Sequence, residues 1–205
     1  METKFDPKRT AVLVIDMQND LAKNDSGWFA PLGQMVKSNH VIDNFVKLVK
    51  GARERGLPII HVKTIRRKDG ADVVARVTDF LLQGVVPKEM PPILVEGTPG
   101  AAFIDELQPA TEDYVVAKRR SSAFHNTDLD MLLRTRGVDT LIVGGLVTNG
   151  CVENTLRGAV ERDFNVILLS DCCAAVVEQA HDYAVKNVFP GLGRVRTADE
   201  VLAAL

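Results

Sequence analysis

The sequence has few cysteines, no strong charge of either sign and no long apolar run. Three cysteines, two of them adjacent at Cys172 and Cys173, cannot form a disulfide framework and are typical of a reducing compartment. A net charge of −2 offers no basic surface for nucleic acid. No apolar run approaches the roughly 20 residues of a membrane span, and the charged start METKFDPKRT lacks a hydrophobic signal region. We therefore expect a cytoplasmic protein that binds neither membranes nor nucleic acid.

The composition is typical of one globular domain. Hydrophobic residues make up 46% and charged residues 25% of the chain, which argues against disorder. A chain of this length buries about 70% of its unfolded surface, so it can fold without a structural metal or disulfides. We expect a single domain over residues 1–205.

Short β-branched segments alternate with helical patterns along the chain. Strands are predicted at residues 10–15, 58–62, 114–117, 140–143, 166–169 and 194–196. Helices are predicted between and after them, at residues 41–52, 127–136, 152–163, 178–188 and 198–205, with Thr127 and Asp130 forming a capping box. Alternation of this kind predicts βαβ units and hence an α/β, three-layer Rossmann-like fold. Its parallel sheet would have about six strands, with helices on both faces.

Residues 63–100 interrupt this alternation. They contain RRKDG, a short amphipathic pattern at Val73, Val77, Phe80 and Leu81, and a proline-rich run. A long insertion after the C-terminal end of a strand is typical of an active-site lid or a subunit-interface element. A surface loop without a role is the alternative.

Chemically active side chains follow three of the predicted strands. Asp16 follows the first strand, Lys118 the third, and Cys151 opens the helix after the fourth. Ligands of open parallel sheets bind beyond the carboxyl ends of the strands, so we expect these side chains to meet there. A helix N-terminus and a nearby lysine would lower the pKa of the thiol, and a carboxylate could take its proton. Each residue alone also fits a structural role, as a buried hydrophobe, a turn residue or part of a solvated basic run.

Three motifs together resemble the isochorismatase-like cysteine hydrolases. They are VLVIDMQND at 12–20, KRRSSAFHNTDL at 118–129 and GGLVTNGCVENT at 144–155, in the order and spacing of the family. The resemblance extends over about residues 10–175. It implies that Asp16, Lys118 and Cys151 are catalytic, and that the Leu146–Val147 peptide bond is cis. It also implies that the backbone amides of Val147 and Cys151 form an oxyanion hole.

The resemblance further implies acyl transfer. Asp16 would take the thiol proton, and Cys151 would attack an amide or ureido carbonyl while Lys118 stabilises the thiolate. Asp16 would then protonate the leaving nitrogen and activate the water that hydrolyses the thioester.

Departures from the family narrow the expected activity. The segment HVKTIRRKDGAD lacks the Asp-x-His metal motif of nicotinamidases, and no metal-ligand spacing joins the four histidines. We therefore expect no metal and no cofactor. Cys151 argues against vinyl-ether cleavage, because isochorismatases of this fold lack the nucleophile. The ureidoacrylate and N-carbamoylsarcosine amidohydrolase type remains, acting on a small amide or ureido substrate, in many cases anionic.

The candidate substrate-binding residues are Gln18, Trp28, Phe29, Arg66, Arg67 and Phe124. The arginines, with Lys68, Arg119 and Arg120, could bind a carboxylate, or form only a solvated basic patch. The aromatic residues could line a pocket, although Phe124 fits core packing equally well. Gln18 could also support Asp16. Cys172 and Cys173 are interpreted as packing residues.

Two other function classes stay open. A nucleotide- or flavin-binding module is disfavoured, because no glycine-rich phosphate-binding motif of the required spacing follows a strand. A catalytically idle partner subunit is disfavoured by the intact set of Asp16, Lys118 and Cys151. Relatives are commonly dimers or tetramers, so we expect a homodimer or homotetramer.

Overall fold

A single six-stranded sheet forms the centre of the protein, whose computed structural model describes residues 6–72 and 92–205. The strands are β1 (Thr10–Ile15), β2 (Ile59–Thr64), β3 (Tyr114–Lys118), β4 (Thr140–Leu146), β5 (Asn165–Ala174) and β6 (Arg194–Arg196). Their order across the sheet is β3-β2-β1-β4-β5-β6, and every neighbouring pair is parallel. This confirms the predicted parallel sheet and its strand count.

The strand order changes direction between β1 and β4. From β1 the chain proceeds to β2 and β3 on one side, and from β4 to β5 and β6 on the other. Such a reversal leaves a crevice at the carboxyl ends of the two central strands, because the connections leave in opposite directions. Asp16 directly follows β1, and Cys151 follows β4 after a short turn.

Helices cover both faces of the sheet. They are α1 (Asn19–Ala22), α2 (Ala30–Ser38), α3 (Val41–Glu54), α4 (Leu129–Thr135), α5 (Glu153–Val160), α6 (Glu178–Tyr183) and α7 (Ala198–Ala204). The apolar side chains of α2, α3 and α7 pack with Val12 and Val14 on one face. Those of α4 and α5 pack with Leu13 and Ile15 on the other. Alternating residues of β1 therefore contribute to both cores, as expected for a strand buried on both faces.

Several helix boundaries differ from the predictions. The capping box does not form at Thr127, because α4 begins after Asp128 and Asp130 pairs instead with Arg134, 3.4 Å away. A capping box is present at the start of α7, where Thr197 and Glu200 exchange hydrogen bonds. The predicted helices 152–163 and 178–188 are each shorter α-helices joined to a π-helical turn, at Thr148–Val152 and Ala184–Val188.

Gly145 sets the path of β4 beside β1. Its φ is +135°, and a Cβ atom there would lie 2.0 Å from the carbonyl oxygen of Ile15. Only glycine fits a backbone that approaches its neighbour so closely with this dihedral angle. The close contact brings the end of β4, and therefore the turn that holds Cys151, against the end of β1.

The described ends of the 63–100 insertion are attached to the domain. The Leu94 N–H donates to Asp20 Oδ2 over 2.6 Å, and Arg66 forms a β-bridge with Val95. Arg119, next to Lys118, pairs with Asp72 at 2.6 Å. The helical pattern from Val73 to Leu81 lies outside the described residues, so the role of the insertion as a lid or interface stays a prediction.

None of the helices within residues 6–72 and 92–205 has the length and apolar character of a membrane span.

His61 is a core histidine of β2. Its ring is fully buried, and Nε2 lies 3.2 Å from Asp113 Oδ2, which also pairs with Arg53. Burial lowers the pKa of His61 although Asp113 partly opposes the shift. The ring is therefore neutral at pH 7 in the folded protein.

Candidate active site

The ends of three strands bring Asp16, Lys118 and Cys151 into contact. The Lys118 ammonium lies 2.8 Å from Asp16 Oδ2 and 3.2 Å from Cys151 Sγ. The side chains of Asp16 and Lys118 are completely buried, and Cys151 as a residue is partly exposed. The arrangement is thus a buried ion pair in contact with a thiol.

Asp16 owes its position to the turn that ends β1. Its backbone is left-handed, with φ of 53°, a conformation that aspartate tolerates better than most residues. The Asp16 N–H still donates to Val62 O of the neighbouring strand, while the Gln18 N–H turns back to Asp16 O. The carboxylate is therefore held at the end of the strand in the crevice.

Thr64 connects Lys118 to Asp16. It is the register partner of Lys118 in the adjacent strand, and its hydroxyl accepts from the ammonium at 2.7 Å. The same hydroxyl donates to Asp16 Oδ2 over 3.1 Å. The sequence did not single out Thr64, since a threonine at the end of a strand is ordinary; only the pairing register of β2 and β3 reveals its place.

Gln18 holds Thr64 rather than a ligand, which corrects its assignment to substrate binding. Its side chain is fully buried: Nε2 donates to the carbonyls of Thr64 and Ala101, and Oε1 accepts from the Thr64 N–H at 2.9 Å. Because both ends of the amide have backbone partners, Gln18 fixes β2 against the Asp16 turn.

The pKa of Cys151 shifts in the direction opposite to the prediction. Burial raises it most, the negative charge of Asp16 raises it further, and Lys118 only partly opposes them, so the pKa is about 12. The resting group is a thiol, and its ionisation requires a base.

Lys118 stays charged in this buried site. Burial lowers the pKa of its ammonium, but the charge of the Asp16 carboxylate, together with the hydrogen bonds to Asp16 and to the Cys151 sulfur, outweighs burial and raises it above its ordinary value. A permanent cation therefore lies beside the sulfur and can stabilise a thiolate when one forms.

The turn before α5 carries the backbone groups around Cys151. The Leu146–Val147 peptide bond is cis, at the position that the resemblance implies. Val147 O accepts from the N–H groups of Gly150 and Val152, which closes the turn. Thr148 is fully buried, and its hydroxyl lies 2.8 Å from His181 Nδ1 of α6. This anchor was not predicted, because nothing in the sequence relates α6 to the turn.

Phe124 is a core residue, which corrects its assignment as a pocket wall. The residue is 6% exposed, and its ring stacks on Phe164 with centroids 5.8 Å apart, with the Arg162 guanidinium 5.1 Å from its centroid. The N–H of the preceding Ala123 donates to Thr155 Oγ1 of α5, so the segment is held under that helix.

The remaining candidate residues have different surroundings. Arg67 pairs with the exposed Asp69 at 2.6 Å, and its charge is already matched. Arg66 is half-buried and forms no salt bridge with any carboxylate in the described parts of the chain. Trp28 and Phe29 are half-buried and meet edge to face, 4.7 Å between centroids. Cys172 and Cys173 are fully buried, consistent with packing.

No group of three or more His, Cys, Asp and Glu side chains within residues 6–72 and 92–205 is arranged to hold a metal ion. Asp16 is the one carboxylate that pairs directly with Lys118 in that part of the chain.

A falling pH is expected to destabilise the fold through its two buried histidines. Burial lowers the pKa of His181 as well as that of His61, against the opposing charges of Asp182 and Glu178 at His181. The unfolded chain takes up protons below the ordinary histidine pKa of 6.5, whereas the folded chain does not until lower pH. The two neutral histidines therefore leave the free energy of unfolding undiminished above pH 6.5. It falls below that pH by up to about 1.4 kcal/mol per pH unit for each histidine.

Urea unfolding between pH 7.5 and 5.5 measures this slope. His181→Asn keeps a polar atom near Thr148 but cannot titrate, so its slope should be shallower than that of the wild type. His40→Asn is the control, since His40 is exposed and its left-handed backbone suits asparagine. Equal slopes in all three proteins would contradict the assignment.

The fold and the site define an α/β enzyme whose cysteine, lysine and aspartate converge at the switch point of a parallel sheet. The family model for the isochorismatase domain matches residues 10–200. The chain belongs to the isochorismatase family and is a hydrolase of that family.

Similar proteins support this placement. The ureidoacrylate amidohydrolase RutB of Rhizobium rhizogenes is 31% identical over 97% of this chain and 84% of its own. The crystal structure of a cysteine hydrolase from Pseudomonas syringae is 32% identical, with a TM-score of 0.80 over 98% of this chain and 94% of that one. N-carbamoylsarcosine amidase from Thermoplasma acidophilum is 26% identical, with a TM-score of 0.71 over 93% and 97% of the two chains.

Proposed function

We propose that this protein is a cysteine-dependent amidohydrolase that cleaves a C–N bond of a small amide, ureido or carbamoyl compound. One observation carries the proposal: the Lys118 ammonium lies between the Asp16 carboxylate, at 2.8 Å, and the Cys151 sulfur, at 3.2 Å. A base, a cation and a nucleophile in mutual contact are what acyl transfer by a thiol requires.

The first step forms the thioester. Asp16 takes the proton of the Cys151 thiol as the sulfur bonds to the carbonyl carbon, and Lys118 stabilises the negative charge at the sulfur. The carbonyl oxygen becomes an oxyanion that the backbone N–H groups of Val147 and Cys151 can receive. As the oxyanion collapses, the C–N bond breaks and Asp16 returns its proton to the nitrogen, so that ammonia or an amine departs.

The second step releases the acid and restores the thiol. Asp16, again a carboxylate, takes a proton from water while the hydroxide portion bonds to the thioester carbon. When the C–S bond breaks, the proton on Asp16 returns to the sulfur. The high pKa of Cys151 suits this cycle, because the free enzyme is then restored with a protonated thiol and an ionised carboxylate.

The relatives support a ureido or carbamoyl substrate, since one is a ureidoacrylate amidohydrolase and another an N-carbamoylsarcosine amidase. Both names describe small acids. Arg66 is the candidate residue for binding the substrate carboxylate, because it follows β2 two residues after Thr64, whereas Arg67 and Arg119 already have acidic partners.

We further propose that the protein works as a homodimer or homotetramer.

The experiment is an assay of ammonia and amine release across ureido acids, carbamoyl amino acids and primary amides. We expect turnover of at least one ureido or carbamoyl acid, no turnover by Cys151→Ala, and no change with EDTA. Cys173→Ala is the matched control, because it removes a buried thiol outside the site; it should keep the activity.

No turnover of any compound would refute the proposal, as would activity that survives Cys151→Ala. A strong loss with EDTA would refute the metal-free mechanism. Tight binding of a nucleotide or flavin without turnover would favour the binding-module alternative.

A further inference from the structure

The two oxygens of the Asp16 carboxylate have different surroundings. Oδ2 receives the Lys118 ammonium at 2.8 Å and the Thr64 hydroxyl at 3.1 Å. Oδ1 is buried and has no N–H or O–H donor among the residues that the structure describes. The Cys151 thiol lies within hydrogen-bonding reach of the carboxylate. A buried carboxylate oxygen without a strong donor is costly, so its retention points to a use.

The Thr64 hydroxyl is oriented by its two partners. An ammonium can only donate, so Thr64 Oγ1 must accept from Lys118 Nζ, and its single hydrogen is left for Asp16. The backbone of Thr64 is held on both sides by the Gln18 amide. The hydroxyl is thus fixed in position and in direction.

Lys118 has more acceptors than protons. Its three N–H groups face Asp16 Oδ2, Thr64 Oγ1, Cys151 Sγ and the Arg120 carbonyl. Among the oxygen acceptors, Asp16 Oδ2 and Thr64 Oγ1 are closer than the Arg120 carbonyl, which lies at 3.2 Å, and the larger Cys151 sulfur is also in close contact at 3.2 Å. Thr64 therefore holds Lys118 and Asp16 Oδ2 together in one compact unit.

We propose that Thr64 is a positioning residue that occupies Asp16 Oδ2 and reserves Oδ1 as the atom that takes and returns the proton. The proposal rests on the proposed role of Asp16 as the base. Two donors on Oδ2 stabilise the ionised carboxylate and prevent it from rotating, while the bare Oδ1 remains the basic atom. No nucleophile or leaving group needs to touch Thr64 itself.

The test is the pH dependence of Cys151 alkylation by iodoacetamide, measured by mass spectrometry of the Cys151 peptide. In Thr64→Val the carboxylate loses a donor, so it is protonated more readily. The fall of the alkylation rate at acid pH, the acid limb of the profile, should move to higher pH by about one unit. On any substrate found, kcat should fall about tenfold with KM little changed.

Two further variants distinguish this from a structural effect. Thr64→Ser keeps the hydroxyl and should restore the wild-type limb. Thr10→Val removes a buried hydroxyl from the start of β1, at the opposite end of the sheet, and should leave the profile unchanged. The proposal would be overturned if the acid limb of Thr64→Val coincided with that of the wild type. It would also be overturned if the acid limb of Thr64→Ser were displaced as far as that of Thr64→Val.

Alkylation does not depend on a substrate, so the two proposals can fail separately. If no amide or ureido compound is hydrolysed but the limb moves in Thr64→Val, the proposed function is wrong and the role of Thr64 stands. If hydrolysis occurs and the limb does not move, the role of Thr64 is wrong.

Discussion

Replacing Asp16 with asparagine should lower kcat/KM by about 10²–10⁴-fold and, at the same time, lower the pKa of the Cys151 thiol. The loss follows because Asp16 is the base of the acylation step, which kcat/KM reports, and one general base contributes a factor of this size. Asparagine preserves the size of the side chain but cannot take a proton.

The change in thiol pKa has a separate cause. Burial raises the pKa of Cys151 most, and the charge of Asp16 is the next contribution, with Lys118 opposing both. Without the carboxylate, the ammonium loses its nearest counter-charge and the thiolate becomes its natural partner. The variant should therefore ionise its thiol below the wild-type pKa of about 12 while being unable to protonate the leaving nitrogen.

The pH dependence of Cys151 alkylation by iodoacetamide, followed by mass spectrometry of the Cys151 peptide in wild type and variant, shows whether the thiol ionises more readily, and the assay of product release measures kcat/KM. Asp139→Asn is the control, since Asp139 precedes β4 at the opposite end of the sheet and pairs with Arg9. If Asp16→Asn retained activity within tenfold, Asp16 would not be the base. If the thiol pKa did not fall, the carboxylate charge would not be what holds the proton on the sulfur.

The sequence predicts most of the sheet because each strand is a short apolar segment between polar ones. β1 illustrates this: TAVLVI has no helical period and is buried on both faces. The carboxyl ends of such strands lie at one edge of a parallel sheet, which is why the sequence alone predicts that Asp16 and Lys118 lie near each other. The same rule places Cys151 there, since it opens the helix after the fourth predicted strand, and the family motif around it implies its role as nucleophile.

The interactions that act across the sheet could not be predicted in this way. Thr64 faces Lys118 because of the register of β2 and β3, and Gln18 contacts Thr64 because the chain turns after Asp16. Neither contact follows from spacing along the chain. Phe124 was ambiguous for a related reason, since an aromatic side chain fits a core and a pocket equally well until its neighbours are known.

The pKa of Cys151 shows why a local rule can give the wrong sign. Lys118 does lower it, as the sequence suggests, but burial and Asp16 raise it more. Burial depends on every element that packs around the sulfur, and that sum exists only in the fold. The protonated thiol needs a base, and the same fold places the Asp16 carboxylate beside it. The raised pKa of Cys151 therefore explains why Asp16 has to take the thiol proton.

Replacing Lys118 with methionine should destabilise the protein by about 3–5 kcal/mol, because it leaves the Asp16 carboxylate buried without its counter-charge. Both side chains are completely buried, so water cannot replace the lost ammonium. Thr64 would remain as a hydrogen-bond donor to the carboxylate, and one hydroxyl does not balance a full charge.

The double variant Asp16→Asn, Lys118→Met should recover most of the stability lost in Lys118→Met, because it leaves no unpaired buried charge. It should nevertheless be inactive, since both the base and the cation are gone. Lys186→Met removes a lysine of a surface pair with Asp182 and should leave the unfolding midpoint unchanged. Urea unfolding at pH 7 of the wild type and these variants, with Asp16→Asn alone, measures the coupling. A Lys118→Met protein as stable as the wild type, or a double variant no more stable than Lys118→Met, would show that Asp16 and Lys118 do not form a buried ion pair in solution.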